Sequence, residues 1–359
     1  MDKLAHTGVP LLVLNLLSAI LAEGSVILDD GVSEHIPIPQ TTGVAQGDNL
    51  SPLLFSVLVS DLPKVIKQRH PHVEVLMYAD DLVIYSRSRF HLQQSLATLQ
   101  RYVTANDLVV NVSKTKAMKF RRGGREAASD ALRLGSNPIE YVSHFPYLGV
   151  ELTMYGTSFT RHVVDRVRKG FLAFHAIPNP QKLSLRTAVA LFDLKIGPTV
   201  AYGIQVIWPH LTKANLAALD GVKAAFLKRC LGVHRTSRNR LVYLAAGTPL
   251  FVEDLVEKHI LPRTAAYEDH IRTWEEKMAD IDPAFFNTVA MFSDGWKAQN
   301  NAGRHRLLRF AMHGFHHKIC LTEGFHESND RCICRLCGSH CPTYHLQECL
   351  NPIPLGQLM

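Results

Sequence analysis

The sequence predicts an α+β protein made of a mixed α/β region, a helical region and a small cysteine-rich region, in that order. Three observations lead to this prediction. Short apolar runs typical of strands occur among helical patterns before residue 156. From about residue 160 the periodicity is helical, and six of the seven cysteines lie between Cys320 and Cys349. We therefore expect domains at residues 1–155, 156–280 and 281–359.

Composition and charge indicate an ordered chain with one basic region. The 359 residues are 47% hydrophobic and 20% charged, which excludes general disorder. The net charge is +7, but residues 161–240 hold 14 Lys and Arg against three Asp, a net of +11, so the remainder sums to −4. This asymmetry favours contact with a polyanion, and a solvated helical surface is the alternative.

The N-terminal apolar stretch and the clustered cysteines bear on location. Residues Pro10 to Ala22 could pass for a signal-peptide core, but they are too short to span a bilayer and suit a buried helix equally well. Clustered cysteines favour a metal site in a reducing compartment over a disulfide framework. We therefore expect an intracellular protein, nuclear or cytoplasmic, that is not secreted and has no membrane partner. A secreted protein with disulfides in its tail is the alternative.

Local patterns place the elements of the first region. Asp29-Asp30-Gly31 indicates a turn, and we expect Ser51 to cap a helix that has Pro52 in its first turn. Two short runs rich in β-branched and aromatic residues flank residues 78–81, which predicts a hairpin. Helices are expected over residues 10–22 and 92–103. The expected strands are Val73–Met77, Leu82–Tyr85, Val109–Val112, Ala117–Phe120 and a short pair that includes Tyr147–Val150.

The helical region carries the excess of positive charge. Residues 220–230 combine apolar and basic side chains and predict an amphipathic basic helix. The candidate phosphate-binding side chains are Arg166, Arg168, Lys169, Lys223, Lys228 and Arg229. Binding through them would weaken steeply with salt, because neutralised phosphates release counterions. A basic surface that only keeps the chain soluble is the alternative.

The hairpin Tyr78-Ala79-Asp80-Asp81 carries two adjacent carboxylates. These repel each other and gain nothing structurally, but they become favourable if they share divalent cations such as Mg²⁺. Two Mg²⁺ ions can activate an attacking 3′-hydroxyl and stabilise a leaving pyrophosphate. The alternative is that Asp-Asp is an ordinary turn pair.

Four further segments, in order along the chain, make the pattern specific. They are GVAQGDNLSPLLF (residues 43–55), NVSKTKAMKF (111–120), PYLGV (146–150) and AYGIQVIW (201–208). Together with the hairpin they closely resemble the reverse transcriptases of non-LTR (LINE-type) retrotransposons. The resemblance implies part of a right-hand polymerase palm followed by a helical thumb. It also implies an RNA-directed DNA polymerase whose partners are an RNA template, a DNA primer and dNTPs.

The resemblance also assigns roles by position. It implies that Asp80 and Asp81 bind Mg²⁺, and that Tyr78 and Ala79 lie near the primer terminus and incoming nucleotide. By the same resemblance, Gly43, Gln46 and Gly47 lie beside the nucleotide and template, where glycine lets the backbone approach closely. Lys114 and Lys116 resemble a basic pair that meets triphosphate charge, with a solvated turn as the alternative.

Three departures from the family pattern qualify this reading. Ala45 replaces a larger, often basic residue, and Asn49 replaces a proline. In this family the first metal-binding aspartate lies upstream of the helix that resembles residues 10–22, which would place it before Met1. We therefore expect this chain to be a fragment and, alone, inactive or nearly so. A non-catalytic RNA- or DNA-binding protein is the alternative function.

The C-terminal region contains a candidate zinc site. Cys334, Cys337, His345 and Cys349 offer three thiolates and one imidazole, a set typical of closed tetrahedral Zn²⁺ sites. The set resembles the C-terminal CCHC module of non-LTR elements, although the spacing here is shorter. Possible substitute ligands are Cys332, His340 and Cys341, and free thiols are the alternative.

Overall fold

The structure, a computed structural model, describes residues 2–22, 25–26, 38–39, 43–44, 47–121, 131–233, 235–279 and 281. The chain divides into two compact units. The first lies within Met1–Lys119 and Arg125–Val142, and the second within Phe120–Gly124 and Ser143–Met359. The described residues combine helices and strands, as predicted. The predicted domain boundaries at residues 155 and 280 stay predictions.

The first unit combines helices with short strands. Its helices are α1 (Asp2–His6), α2 (Leu11–Ala22), α3 (Ser51–Val59), α4 (Leu62–Arg69) and α5 (Arg89–Ala105). Its strands are β1 (Ser25–Val26), β2 (Ile38–Pro39), β3 (Glu74–Tyr78), β4 (Asp81–Tyr85), β5 (Lys116–Ala117), β6 (Arg133–Leu134), β7 (Asn137–Pro138) and β8 (Glu140–Tyr141). The pairs β1–β2, β3–β4 and β6–β7 are antiparallel, whereas β5–β8 is parallel.

The core of the first unit lies between α4, α5 and the β3–β4 hairpin. Ile66 and Val73 are fully buried, and Leu96, Leu99 and Val103 face them from α5. The leucines repeat at helical spacing, so one face of α5 is apolar along its length. This core confirms the predicted helix over residues 92–103 and gives the hairpin a fixed base.

Three local predictions differ from the structure. Of the expected strand Ala117–Phe120, only Ala117 lies in a strand, β5. Ser51 is the first residue of α3 and does not cap it; the cap position is Leu50, whose backbone N–H donates to the Asp48 carboxylate at 3.3 Å. Residues 109–112 form no strand, because the Asn111 carbonyl accepts from the Thr115 N–H at 3.0 Å and its side chain accepts from the Lys114 N–H at 3.1 Å. These local bonds close a turn that competes with strand pairing.

The second unit begins with a hairpin and continues as helices. Its strands β9 (His144–Tyr147) and β10 (Val150–Thr153) pair antiparallel. Its α-helices are α6 (Thr160–His175), α7 (Leu185–Leu191), α8 (Gly197–Ala201), α9 (Ile204–Ile207), α10 (Lys213–Leu231), α11 (Asn239–Ala246), α12 (Phe251–His259) and α13 (Ala265–Ala279). A π-helical turn, Phe192–Ile196, joins α7 to α8, and 3₁₀ turns cover Pro180–Lys182 and Trp208–His210. The predicted strand pair around residues 147–150 and the helical pattern after residue 160 are confirmed.

Helix α10 runs through the core of the second unit. Leu219, Val222 and Phe226 on α10 are fully buried, and Phe226 packs against Phe192 with ring centroids 6.0 Å apart. Gly170 lets α6 approach this core closely, because a Cβ there would lie 2.6 Å from Val200. The apolar side chains around α10 therefore hold α6 and its charged residues in place.

Candidate functional site

The acidic pair lies at the tip of the β3–β4 hairpin. Tyr78 pairs with Asp81, so Ala79 and Asp80 are the two turn residues. Successive strand residues point to opposite faces. The inner face, which includes Met77 and Leu82, packs on the core of the first unit. The predicted hairpin is therefore confirmed, and its tip projects from a well-anchored base.

The turn itself is conformationally strained. Ala79 has φ = 50°, in the left-handed region that costs an L-residue roughly 1–2 kcal/mol. A two-residue hairpin needs a positive φ at its first turn residue, and the β9–β10 turn has one at Leu148 as well. The strain therefore belongs to the tight turn that holds Asp80.

Among the described residues, no cation neutralises the charges at the tip. Asp80 and Asp81 are exposed, and neither has an ion-pair partner in the part of the chain that the structure describes. Tyr78, directly across from Asp81, is 66% exposed on the outer face. Two adjacent carboxylates with open approach suit a divalent cation.

The hairpin supplies only part of a metal-binding set. Within the described ranges, no three His, Cys, Asp or Glu side chains gather where they could hold one ion. Mg²⁺ takes six oxygen ligands and usually keeps several waters. Asp80 and Asp81 therefore fit a Mg²⁺ site whose other ligands would be water, substrate phosphate or further carboxylates.

The glycine loop before α3 is described only in part. Gly43 has φ = 81° and Gly47 has φ = 95°, and both are exposed. Residues with a Cβ avoid this region, so both positions require glycine. Gln46 and Ala45 lie outside the described residues. The nucleotide and template roles of this loop stay predictions.

Of the two candidate lysines, one is already paired. Lys116 in β5 places its ammonium 2.6 Å from the Glu140 carboxylate in β8. Lys114 is exposed in the turn before β5 and makes no ion pair with any described residue. Lys114 is therefore the freer of the two to meet a phosphate.

In the second unit, one carboxylate organises three predicted phosphate ligands. Asp165 lies 3.0 Å from Arg166, 3.3 Å from Arg168 and 2.7 Å from Lys169. Partial burial would raise the pKa of Asp165, but hydrogen bonds from Lys169 and Arg168 outweigh it and hold the pKa at about 2. The cluster thus keeps two net positive charges.

The members of this cluster differ in exposure. The side chains of Arg168 and Lys169 are 68% and 42% exposed. Arg166 is buried, and its guanidinium lies 5.3 Å from the centre of the Tyr202 ring. Only the first two can meet a phosphate without rearrangement.

The prediction that Lys223 lies on an exposed basic face of α10 and contacts phosphate is wrong. This side chain is fully buried, 2.7 Å from the Asp254 carboxylate and 3.0 Å from the Pro249 carbonyl. Sequence periodicity placed Lys223 on a polar face, but α10 is surrounded by other helices and Lys223 joins α10 to α12. It is a structural residue in the described structure.

The other two basic residues of α10 also have protein partners. Lys228 donates to the Arg235 carbonyl at 3.0 Å, and burial, with Arg238 nearby, lowers its pKa to about 8. Arg229 donates to the Phe174 carbonyl at 3.0 Å and so binds the C-terminal turn of α6. Their predicted contacts with phosphate stay predictions.

Sequence reasoning missed a tyrosine that holds the β9–β10 turn. The Tyr202 hydroxyl donates to the Leu148 carbonyl at 2.8 Å, and a Cβ on Gly149 would lie 2.7 Å from the Tyr202 ring. Leu148 and Gly149 both have positive φ, at 47° and 76°. The glycine in PYLGV and the tyrosine in AYGIQVIW were the available signals, but nothing in the sequence showed that they touch.

The predicted zinc ligands are not among the described residues. The described residues include none of the predicted ligands Cys334, Cys337, His345 and Cys349, and none of the substitutes Cys332, His340 and Cys341. The predicted turn at residues 29–31 also lies outside them.

Of the helices that the structure describes, none has the length and apolarity needed to cross a bilayer.

Comparison with known proteins finds a family match within the first 152 residues of the chain. The family described as reverse transcriptase (RNA-dependent DNA polymerase) matches residues 3–152. The RNA-directed DNA polymerase from mobile element jockey of Drosophila melanogaster is 27% identical over 225 residues, 59% of this chain and 24% of that protein. The probable RNA-directed DNA polymerase from transposon BS of the same organism is 27% identical over 257 residues, 67% of this chain and 27% of that protein.

A third relative comes from a different element. The retrovirus-related Pol polyprotein from type-1 retrotransposable element R2 of Popillia japonica is 24% identical over 215 residues, 56% of this chain and 29% of that protein. The chain thus spans about a quarter of the length of these relatives. Reverse transcriptases normally use Mg²⁺ and bind an RNA template, a DNA primer and dNTPs. Residues 3–152 match the reverse transcriptase family, and the chain is related to the RNA-directed DNA polymerases of non-LTR retrotransposons.

Proposed function

We propose that this chain provides the metal-binding hairpin of an RNA-directed DNA polymerase that copies an RNA template into DNA. The observation that carries the proposal is the strained two-residue turn, which presents Asp80 and Asp81 to solvent with no ion-pair partner among the described residues. The turn lies inside the segment that matches the reverse transcriptase family. Two uncompensated carboxylates beside each other cost free energy unless a cation offsets them.

The hairpin residues have separate parts in this proposal. Asp80 and Asp81 supply carboxylate oxygens, and the anchored strands hold these oxygens at a fixed place. Tyr78 presents its exposed ring beside Asp81, where it can contact the primer end or the incoming nucleotide. Mg²⁺, when bound, would assist the 3′-hydroxyl as nucleophile and offset charge on the leaving pyrophosphate.

The second unit would contribute phosphate contacts. Arg168 and Lys169 support this part of the proposal because they are exposed and share a single carboxylate. Asp165 also restricts their motion, which lowers the entropy lost when they bind a phosphate. The predicted zinc module would add a further nucleic-acid contact, and an intracellular location follows from the same proposal.

A titration with Mn²⁺, which resembles Mg²⁺ in its ligands, tests the proposal. Electron paramagnetic resonance reports free Mn²⁺ directly, so the number of bound ions can be counted on the whole chain. We expect a site that is lost in the Asp80→Asn/Asp81→Asn variant and kept in Asp107→Asn, which changes another exposed turn aspartate. Equal binding by all three proteins would contradict the proposal.

The second candidate function is a nucleic-acid-binding protein without catalysis. The observation that favours it is the lack of a third metal ligand near the hairpin within the described residues. It predicts that Asp80→Asn changes neither Mn²⁺ binding nor RNA binding. Under the polymerase proposal, any Mg²⁺-dependent primer extension by the chain disappears in Asp80→Asn.

A further inference from the structure

A second exposed feature lies at the opposite end of the β3–β4 hairpin from the acidic pair. There the chain enters β3 and leaves β4, and α5 begins. We call this group of side chains the basic-aromatic corner; it consists of Arg69, His70, His72, Arg87, Phe90 and His91. The strands are five residues long, so the corner lies about 15 Å from the hairpin tip. It is therefore separate from the proposed metal site.

The rings of the corner form a continuous aromatic surface. His72 and His91 stack with centroids 4.9 Å apart and planes inclined by 21°. Phe90 lies 5.8 Å from His91 and is 64% exposed. A phenylalanine in the first turn of α5 that stays largely in water contributes little to the core. Its exposed face is free to stack on another ring.

The corner also carries two arginines that no acid of the described residues neutralises. Arg69 and Arg87 are exposed, and neither makes an ion pair with a residue that the structure describes. The acid on β3, Glu74, is taken up by Lys67 at 2.6 Å. The first turn of α5 contains no acidic residue, although the positive end of a helix dipole favours one.

The pKa of His70 reflects the same excess of positive charge. Burial lowers the pKa of His70, and Arg101, Arg69 and His91 lower it further. His70 also hydrogen-bonds the Thr98 hydroxyl at 2.9 Å, which ties the corner to α5. The corner is thus an electropositive surface, tied to α5, that carries an exposed ring.

We propose that the basic-aromatic corner binds single-stranded nucleic acid. A base stacks on Phe90 next to the His72–His91 pair, and Arg69 and Arg87 bind neighbouring phosphates. Proteins that bind single strands combine stacking rings with basic side chains in this way. A duplex keeps its bases stacked on one another and cannot offer a free face to Phe90. An acidic peptide would use the arginines but leave the rings unused.

Photocrosslinking of the whole chain tests this inference. The probes are a 10-nucleotide RNA and a DNA of the same sequence, each with one 5-iodouridine or 5-iododeoxyuridine, and the crosslinked residue is found by mass spectrometry. We expect crosslinks at Phe90, His91 or His72 with at least one single strand. Phe90→Ala should lower the yield by about five-fold or more, as expected when one stacked base is lost. Arg87→Gln should lower it in a salt-dependent way.

Two matched variants serve as controls. Phe120→Ala removes another exposed phenylalanine, and Lys64→Gln removes an exposed charge from α4; neither should change the yield. Crosslinks confined to other residues, a yield unchanged by Phe90→Ala, or equal crosslinking of duplex would overturn the inference. So would full competition by poly-glutamate, which would show a site for any anion. The inference does not depend on metal binding at the hairpin tip, so the two can fail separately.

Discussion

Replacing Lys223 by methionine is the sharpest test of the packing around α10. The substitution keeps most of the side-chain volume but removes the ammonium that lies 2.7 Å from Asp254 and 3.0 Å from the Pro249 carbonyl. Asp254 is 15% exposed and would be left without its cation. Breaking a buried pair by removing one partner costs roughly 3–5 kcal/mol. We expect about 3 kcal/mol, because Asp254 reaches some water.

Urea unfolding followed by circular dichroism measures this cost. Lys258→Met, which changes an exposed lysine on α12, is the control and should alter the free energy of unfolding by less than about 0.5 kcal/mol. The double variant Lys223→Met/Asp254→Leu should recover much of the loss, since an apolar pair can replace a buried ion pair. A loss below about 1 kcal/mol in Lys223→Met, or weaker RNA binding at unchanged stability, would refute the structural role of Lys223.

Three further predictions concern other parts of the chain. Gly149→Ala should lower the free energy of unfolding by about 2 kcal/mol, because it adds a strained φ and a contact with Tyr202; urea unfolding checks this. Asp165 has a pKa depressed from 3.8 to about 2, so its stabilisation is present above pH 4 and lost as pH falls towards 2. In Asp165→Asn, the free energy of unfolding should therefore fall by about 1 kcal/mol less between pH 4 and pH 2 than in the unchanged protein, a small difference because solvent partly screens the ion pairs of Asp165. Urea unfolding at several pH values measures this, and the same pH dependence in both proteins would contradict it. The purified chain should release one Zn²⁺ per molecule when a thiol reagent is added, and Cys334→Ser should abolish this release. Cys230 is buried, and burial raises its pKa to about 12, so this thiol should react last.

The hairpin that carries the acidic pair could be predicted from the sequence because its signals are local. Two short apolar runs flank a turn, and the alternation of side chains fixes which of them face the core. The glycines Gly43 and Gly47 are explained in the same way, because a positive φ is a property of one residue. For the hairpin and these two glycines, the neighbouring residues were enough to predict the structure.

Some outcomes depend on distant residues that no local pattern reports, and others on local hydrogen bonds that compete with the expected element. Lys223 is buried because Asp254, 31 residues later, lies beside it, and no local pattern reports that contact. The contact of Tyr202 with Leu148, 54 residues apart, was missed for the same reason. The expected strand over residues 109–112 was apolar enough, but the hydrogen bonds of Asn111 closed a turn there.

Iron-directed cleavage measures the central claim, divalent cation binding at the hairpin tip, most directly. Fe²⁺ bound in place of Mg²⁺ generates hydroxyl radicals with ascorbate and peroxide, and these cut the nearest backbone. We expect cuts within a few residues of Asp80 that excess Mg²⁺ suppresses and that the Asp80→Asn/Asp81→Asn variant lacks. Cuts only elsewhere in the chain, or cuts at the tip that persist in this variant, would contradict the account.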